Sequence, residues 1–222
     1  TLESMQREAV RASAGNGIVV ITGGPGTGKT TTINTIIRYF ERKGMDIMLA
    51  APTGRAAKRM TEATGHEAQT IHRMLELSGI LSDEISNASF ERNETNPLET
   101  DVVIIDEMSM VDIVLMNYLV RGLLENTKLI LIGDCDQLAS VGPGSVLNDL
   151  IESDVFVTKR LTEIYRQAAE SKIVTNAHKI NDGDKEIVVN EKSGDFFFIR
   201  ENNIVEQIIE LVSTRLPKLR EI

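Results

Sequence analysis

At 222 residues and 41% hydrophobic content, the chain is long enough for one large domain, or for one domain and part of another. Its single cysteine, Cys135, excludes a disulfide framework and a cysteine-rich zinc site within the chain, and no apolar stretch reaches membrane-spanning length. The net charge of −9 argues against strong autonomous binding of nucleic acid, but the charge is uneven: residues 52–73 carry Arg55, Lys58, Arg59 and Arg73 against Glu62 and Glu67, whereas residues 82–112 hold nine acidic side chains and one arginine.

Leu2, Met5, Ala9 and Val10 have helical spacing, which predicts an amphipathic helix over 2–13, stopped by Gly15-Asn16-Gly17. The first residue is Thr1 rather than Met and no signal peptide follows, so the sequence reads as an excised fragment. Ile18-Val19-Val20-Ile21 predicts a buried strand over 18–22. Gly23-Gly24-Pro25-Gly26-Thr27-Gly28-Lys29-Thr30 comes next, in the spacing G-x-x-x-x-G-K-T, and it opens a helix carrying Ile33, Ile36, Ile37 and Phe40. That strand–loop–helix context marks a phosphate-binding loop, so the chain is expected to bind a nucleoside triphosphate. Glycines let successive N–H groups wrap the β- and γ-phosphates, Lys29 adds a point charge, and Thr30 offers a hydroxyl to Mg²⁺.

The helix is expected to end near Lys43, with Gly44 as its stop. A strand over 47–51 is ended by Pro52, and residues 54–63 and 70–77 read as helices. Residues 78–99 are polar and too long for an ordinary connection, which predicts an excursion with its own hairpin or function. Continuous aliphatic runs follow at Val102-Val103-Ile104-Ile105 and Leu129-Ile130-Leu131-Ile132. Further strands are expected near 155–162 and at 196–199, a boundary at 181–195, and a helix over 204–216. Uninterrupted apolar strands alternating with helices indicate an α/β fold, with a mainly parallel sheet flanked by helices.

Asp106-Glu107 ends the strand 102–105, where ligands gather in an open parallel sheet. Asp106 is placed to hold Mg²⁺, and Glu107 to orient or deprotonate an attacking water. Gly133-Asp134-Cys135-Asp136-Gln137-Leu138 ends the strand 129–132. Gln137 has a neutral donor and acceptor suited to sensing a γ-phosphate, although side-chain chemistry does not fix its position. Asp134 and Asp136 fit turn-forming roles equally well, and Cys135 reads as a packing residue. His66, His72 and His178 lack metal-ligand spacing.

Several segments add to these motifs: Gln6-Arg7-Glu8-Ala9-Val10, Ala51-Pro52-Thr53-Gly54-Arg55-Ala56-Ala57, Thr70-Ile71-His72-Arg73-Met74-Leu75, Asp106 to Asp112 and Leu161-Thr162-Glu163-Ile164-Tyr165-Arg166-Gln167. In this order and spacing the set resembles the first RecA-like P-loop NTPase domain of a superfamily 1 DNA helicase of the RecD/TraA type, akin to an exodeoxyribonuclease V alpha subunit. The resemblance covers residues 2–182. It implies an ATP- and Mg²⁺-dependent DNA helicase in which hydrolysis drives translocation along single-stranded DNA.

The resemblance also implies site roles. Gln6 would read adenine, and Gly24, Pro25, Gly26, Thr27, Gly28, Lys29, Thr30 and Thr31 would hold the ATP phosphates. Thr30 and Asp106 would hold Mg²⁺, and Lys29, Glu107, Gln137 and Arg166 would be catalytic, with Arg166 reaching the γ-phosphate. Pro52, Thr53, Gly54, Arg55, Thr70 and His72 would lie along single-stranded DNA. Arg55, Lys58 and Arg59 also fit a merely solvated helix face, and Val141-Gly142-Pro143-Gly144-Ser145 fits both a DNA-path element and a turn capping the next helix. The excursion 78–99 falls where relatives carry a small strand-separating pin.

Nothing after residue 182 matches the second motor domain such a helicase needs, so 1–182 reads as the motor domain and 183–222 as the start of a truncated second one. Implied partners are single-stranded DNA, that missing domain and the subunits of a recombination nuclease, in the cytoplasm and away from membranes. Two other readings of the loop stay open: an ATPase remodelling protein or RNA, and a nucleotide-gated interaction module.

Overall fold

The aliphatic runs become the interior strands of a parallel sheet in the computed structural model, which describes residues 2–78, 89–164, 170–184, 195–196 and 203–215. Helix α1 (Ser4–Gly15) leads into β1 (Ile18–Gly23), then α2 (Lys29–Glu41), β2 (Ile47–Ala51), α3 (Gly54–Thr64), β3 (Ala68–Thr70) and α4 (Ile71–Met74). A two-stranded antiparallel pair follows, β4 (Leu77–Ser78) with β5 (Ser89–Phe90). The chain returns through β6 (Val102–Ile105), a 3₁₀ turn at Met108–Met110, α5 (Ile113–Arg121), β7 (Lys128–Gly133), α6 (Val146–Glu152) and β8 (Val157–Leu161). The six-stranded sheet has the order β3-β2-β6-β7-β1-β8, and all its pairings are parallel.

Successive strand residues point to opposite faces, and here both faces are apolar. Val20, Val103, Ile105, Leu129 and Leu131 face α4, α5 and α6, where Ile71, Met74, Leu115, Leu119 and Leu147 complete one core. Val19, Ile21, Val102, Ile104, Ile130 and Ile132 face α1, α2 and α3, meeting Ala9, Ile33, Ile36, Ile37, Phe40 and Met60. Each large aliphatic side chain buried in this way contributes about 1.5–3 kcal/mol. Burial on both faces explains why these strands read as continuous apolar runs rather than alternating ones.

Three expectations need correction. The helix predicted over 70–77 is only the single turn α4. Glu76 adopts a left-handed backbone (φ 53°), and Leu77 leaves the helical path to pair with Phe90. Residues 68–70 form an edge strand that the sequence does not announce, since it contains no apolar run. The helix predicted over 204–216 is regular only through Ile204–Glu210 (α8) and loosens into a π turn at Leu211–Arg215. The expected strand near 155–162 is β8, and in the excursion 78–99 Ser78 pairs antiparallel with Ser89, next to the Leu77–Phe90 pair, while residues 79–88 lie outside the described residues. Phe196 is described but lies in no strand, and residues 197–199 lie outside the described residues.

Contacts divide the chain into two units, Thr1–Ala169 and Glu170–Ile222. The first contains the sheet. The second contains α7 (Lys172–Asn181), capped by the Ser171 hydroxyl, and α8. Within it, Asp195 accepts hydrogen bonds from Ser171 Oγ and from the Lys172 N–H, at 2.5 and 2.7 Å. No helix among the described residues is long and apolar enough to cross a membrane.

Candidate active site

The strand order brings the motifs to one edge of the sheet. β1 and β6 both pair with β7, so their carboxyl ends carry the Gly23–Lys29 loop, Asp134–Gln137 and Asp106-Glu107 side by side. Gly28 takes a left-handed backbone (φ 81°) and caps α2, which is the conformation the loop needs to turn its N–H groups inward. The Lys29 ammonium donates to the carbonyls of Gly23 (2.5 Å) and Gly24 (3.1 Å), and so its charge is held within the loop. Thr27 is buried and donates to Gly24 O at 2.8 Å, while Thr30 and Thr31 are exposed. A cleft between α2 and α3 runs from Thr30 past Arg59 and Met60 to Asp106 and Glu107.

Asp106 is largely buried, and burial pushes its carboxyl above the usual aspartate value. A hydrogen bond from the Glu107 N–H (2.8 Å to Oδ1) pulls the other way, the Glu107 charge adds to the push, and the charges of Lys29 and Arg59 oppose it. Glu107 itself sits in the left-handed region (φ 56°), unusual for a residue with a side chain. Such a conformation is stored strain of about 1–3 kcal/mol, and strain of this kind clusters at functional sites. The Arg59 guanidinium lies 3.9 Å from the Glu107 carboxylate.

Gln137 is tied from both ends. Its Oε1 accepts from Ser109 Oγ at 3.3 Å, and its Nε2 reaches Asp134 Oδ2 at 3.5 Å. Asp134 is buried and also accepts from the Asp136 N–H, so it anchors this loop. The Cys135 N–H donates to Thr22 Oγ1 at 3.2 Å, which fastens the Gln137 loop to the strand bearing the phosphate loop. Ser109 and Thr22 are not apparent from motif reading. Only the sheet order reveals them, because each lies far in sequence from its partner.

Gln6 is buried and belongs to a capping box at the start of α1: its Oε1 accepts from the Glu3 N–H and its Nε2 donates to Gly28 O, both at 3.2 Å. The amide therefore stands against the phosphate loop and clamps α1 to it. Arg166 lies outside the described residues.

The remaining candidates gather on the neighbouring strands. β2 pairs with β3 so that Ala51 lies opposite Thr70, which sets Pro52–Arg55 beside Thr70–His72. Thr53 caps α3 by accepting from the Ala56 N–H, and Thr70 caps α4 by accepting from the Arg73 N–H. Each hydroxyl keeps a proton to donate. His72 contacts the Phe90 ring, which packs on Tyr118 with centroids 4.5 Å apart, so the hairpin base leans on the same surface. The loop 139–145 is pinned to α5 by the Ile113 N–H donating to Pro143 O. Ser145 occupies the N-cap of α6 without a side-chain capping bond. Lys58 pairs loosely with Glu62 along α3.

The donors at the cleft are all oxygen: an exposed hydroxyl on Thr30 and the carboxylates of Asp106 and Glu107. This set fits Mg²⁺, a hard cation bound by one or two carboxylates together with substrate phosphates. Among the described residues no group of three or more His, Cys, Asp or Glu side chains is arranged to hold a metal.

The AAA domain family matches residues 6–143. The ATP-dependent RecD2 DNA helicase of Deinococcus radiodurans is 37% identical over 183 residues, covering 82% of this chain and 24% of that protein. The RecBCD enzyme subunit RecD of Mycolicibacterium smegmatis is 33% identical over 242 residues, covering 97% of this chain and 42% of that one. This chain thus spans less than half the length of each of these two relatives. In fold it is similar to a Bacteroides Pif1 crystal structure in complex with ADP-AlF4 (TM-score 0.57, 23% identity, 83% of this chain and 47% of that one). With the phosphate loop, the acidic pair and the glutamine loop at one edge of a RecA-like parallel sheet, the chain is similar to RecD helicases over most of its length and belongs to the AAA domain family.

Proposed function

We propose that this chain is the ATP-binding motor domain of a RecD-like DNA helicase, in which ATP hydrolysis drives translocation along single-stranded DNA and opens the duplex. The observation that carries the reading is the common edge formed by β1, β7 and β6, which sets Lys29, Gln137 and Asp106-Glu107 together, with Pro52–Arg55 and Thr70–His72 on the adjoining strands.

In this reading the loop from Gly24 to Thr31, through its N–H groups at every position but Pro25, and the Lys29 ammonium bind the triphosphate, and Gln6 reads adenine. Thr30 and Asp106 hold Mg²⁺, which when bound neutralises phosphate charge. Glu107 orients a water molecule and takes its proton. Gln137, held by Ser109 and Asp134, senses the γ-phosphate. Arg166 stabilises charge developing there. Thr53 and Thr70 hydroxyls, the exposed Arg55 and His72 grip the phosphates of a single strand without reading its bases. Residues 78–99 form a pin at the fork. Residues 1–182 are read as the motor domain and 183–222 as the start of a second, whereas contacts divide the chain between Ala169 and Glu170. Recombination-nuclease subunits are candidate partners, since the M. smegmatis relative is named as a RecBCD subunit. Such a role belongs in the cytoplasm.

Two substitutions test this in the full-length protein. Lys29→Ala is expected to abolish binding of millimolar ATP without unfolding the domain, read by calorimetry beside a melting curve. Glu107→Gln is expected to keep ATP affinity but slow turnover by ~100-fold or more, the scale of losing a general base. Normal affinity in the first, or normal turnover in the second, contradicts the assigned roles.

A further inference from the structure

Thr22 immediately precedes Gly23, the first residue of the phosphate loop. It lies in register with Gly133 of β7 on one side and with Arg160 of β8 on the other. The residue is buried, and its Oγ1 accepts from the Cys135 N–H at 3.2 Å. A threonine hydroxyl sits one bond from Cβ, so this contact fixes the Cys135 peptide against β1, two residues before Gln137. Other tethers hold the same loop. A Cβ at Gly133 would stand 2.8 Å from Leu147 Cδ2 and 3.1 Å from the Met108 nitrogen, so β7 ends in close packing with the turn after Asp106-Glu107. On the far side, Arg160 Nη1 donates to Cys135 Sγ at 3.7 Å. The side-chain bonds of Gln137 itself are long, at 3.3 and 3.5 Å, so its position depends on the backbone that carries it. In the other chain direction, the Gly23 carbonyl next to Thr22 accepts from the Lys29 ammonium at 2.5 Å.

We infer that Thr22 is a positioning residue for Gln137: its hydroxyl sets the glutamine loop in register with the phosphate loop. This rests on the reading of Gln137 as the group that senses the γ-phosphate. One residue then joins both sides of the nucleotide, because the backbone next to Thr22 carries the Lys29 acceptor and its side chain carries the Cys135 peptide. Without the hydroxyl the Cys135 N–H loses its partner, and the loop between Asp134 and Gln137 settles on its remaining tethers. Phosphate binding by Gly24–Thr31 and Lys29 does not use the Thr22 side chain, so the defect falls on turnover rather than on nucleotide affinity.

The test measures kcat and KM for ATP in the full-length protein with saturating single-stranded oligonucleotide, beside a melting curve for each variant. Thr22→Val keeps the branched shape and removes the hydroxyl, whereas Thr22→Ser keeps the hydroxyl and removes a buried methyl. A displacement of about 1 Å can cost about 100-fold in rate, and here several tethers remain, so Thr22→Val should lower kcat by about tenfold. Its KM and its affinity for ADP should stay within about twofold of the parent. Thr22→Ser should turn over near the parent rate even where its melting temperature falls. Gln137→Ala should be slow, and adding Thr22→Val to it should slow it no further, because the two residues act as one unit. The inference is overturned if Thr22→Val keeps the parent kcat, or if its loss appears in KM. It is equally overturned if the rates of the two Thr22 variants follow their melting temperatures instead of the hydroxyl, or if the Thr22→Val and Gln137→Ala losses multiply. Gln137→Ala separates the two ideas. Normal turnover there removes the sensor reading and this inference with it, whereas a slow Gln137→Ala beside a normal Thr22→Val removes the positioning role alone.

Discussion

Gly23→Ala probes the tightest point of the phosphate loop. A Cβ at this position would stand 2.6 Å from Thr27 Oγ1, 2.8 Å from Leu161 O and 3.0 Å from Leu161 Cβ. The first neighbour is a hydroxyl that can rotate, though it would give up its hydrogen bond to Gly24 O. The second is backbone, held in β8 by the parallel pairing of Gly23 with Leu161. Relief therefore requires the loop or the strand to move. Overpacking of this kind costs about 1–3 kcal/mol, and in a chain of this size that lowers Tm by about 2–12 °C. The loop N–H groups are re-aimed by the same movement, so ATP affinity should fall by about tenfold or more, the equivalent of about 1.4 kcal/mol. Thermal melting by circular dichroism and calorimetric titration with ATP read the two effects. Adding Thr27→Ala removes the hydroxyl contact but leaves Leu161 O, so stability should recover only in part. An unchanged melting point and affinity for Gly23→Ala would refute the reasoning. Full recovery in the double variant would show that backbone is not the obstacle.

Asp106→Asn is expected to stabilise the metal-free protein at neutral pH. The aspartate value is raised by burial, so the wild-type contribution is fully present below the ordinary aspartate value and is lost as pH rises through the raised one. Urea unfolding across a pH series should show the variant's advantage vanishing at the acid end, growing through that window and then levelling, and a pH-independent difference would count against it. Thr53→Ala should cost about 1 kcal/mol through loss of the α3 cap and should weaken binding of a single-stranded oligonucleotide, while Thr53→Ser retains both. If DNA affinity survives Thr53→Ala, the hydroxyl is a cap and nothing more.

Much of this architecture is legible from local pattern. The run Ile18–Ile21 followed by the glycine loop and a 3.6-residue apolar period specifies β1, the loop and α2, and strands buried on both faces need nothing but aliphatic residues. The edge strand Ala68–Thr70 is not legible, because three half-buried residues carry no periodic signal. The spacing of Ile71, Met74, Leu75 and Leu77 looks helical, yet Leu77 is claimed by a partner thirteen positions away, Phe90. Within the candidate site, motif spacing points to Lys29, Asp106 and Glu107, and the resemblance to Gln137, but neither points to what holds them. Ser109 beneath Gln137, Thr22 beneath Cys135 and Arg59 beside Glu107 are matters of tertiary placement, which no local pattern encodes. Gln6 shows the opposite limit. Its motif is visible, but its use of both amide ends within the chain is not.

The order of the sheet also bears on synthesis. β1 leaves the ribosome well ahead of its neighbours on either side, β7 and β8, so Val19 waits for Ile130 and Val157. At ~5–20 residues per second, that wait is on the order of ten seconds. Throughout it an aliphatic strand with two unpaired edges is exposed, a segment that chaperones would be expected to engage. The nucleotide loop likewise acquires its supporting wall only when Leu161 has emerged.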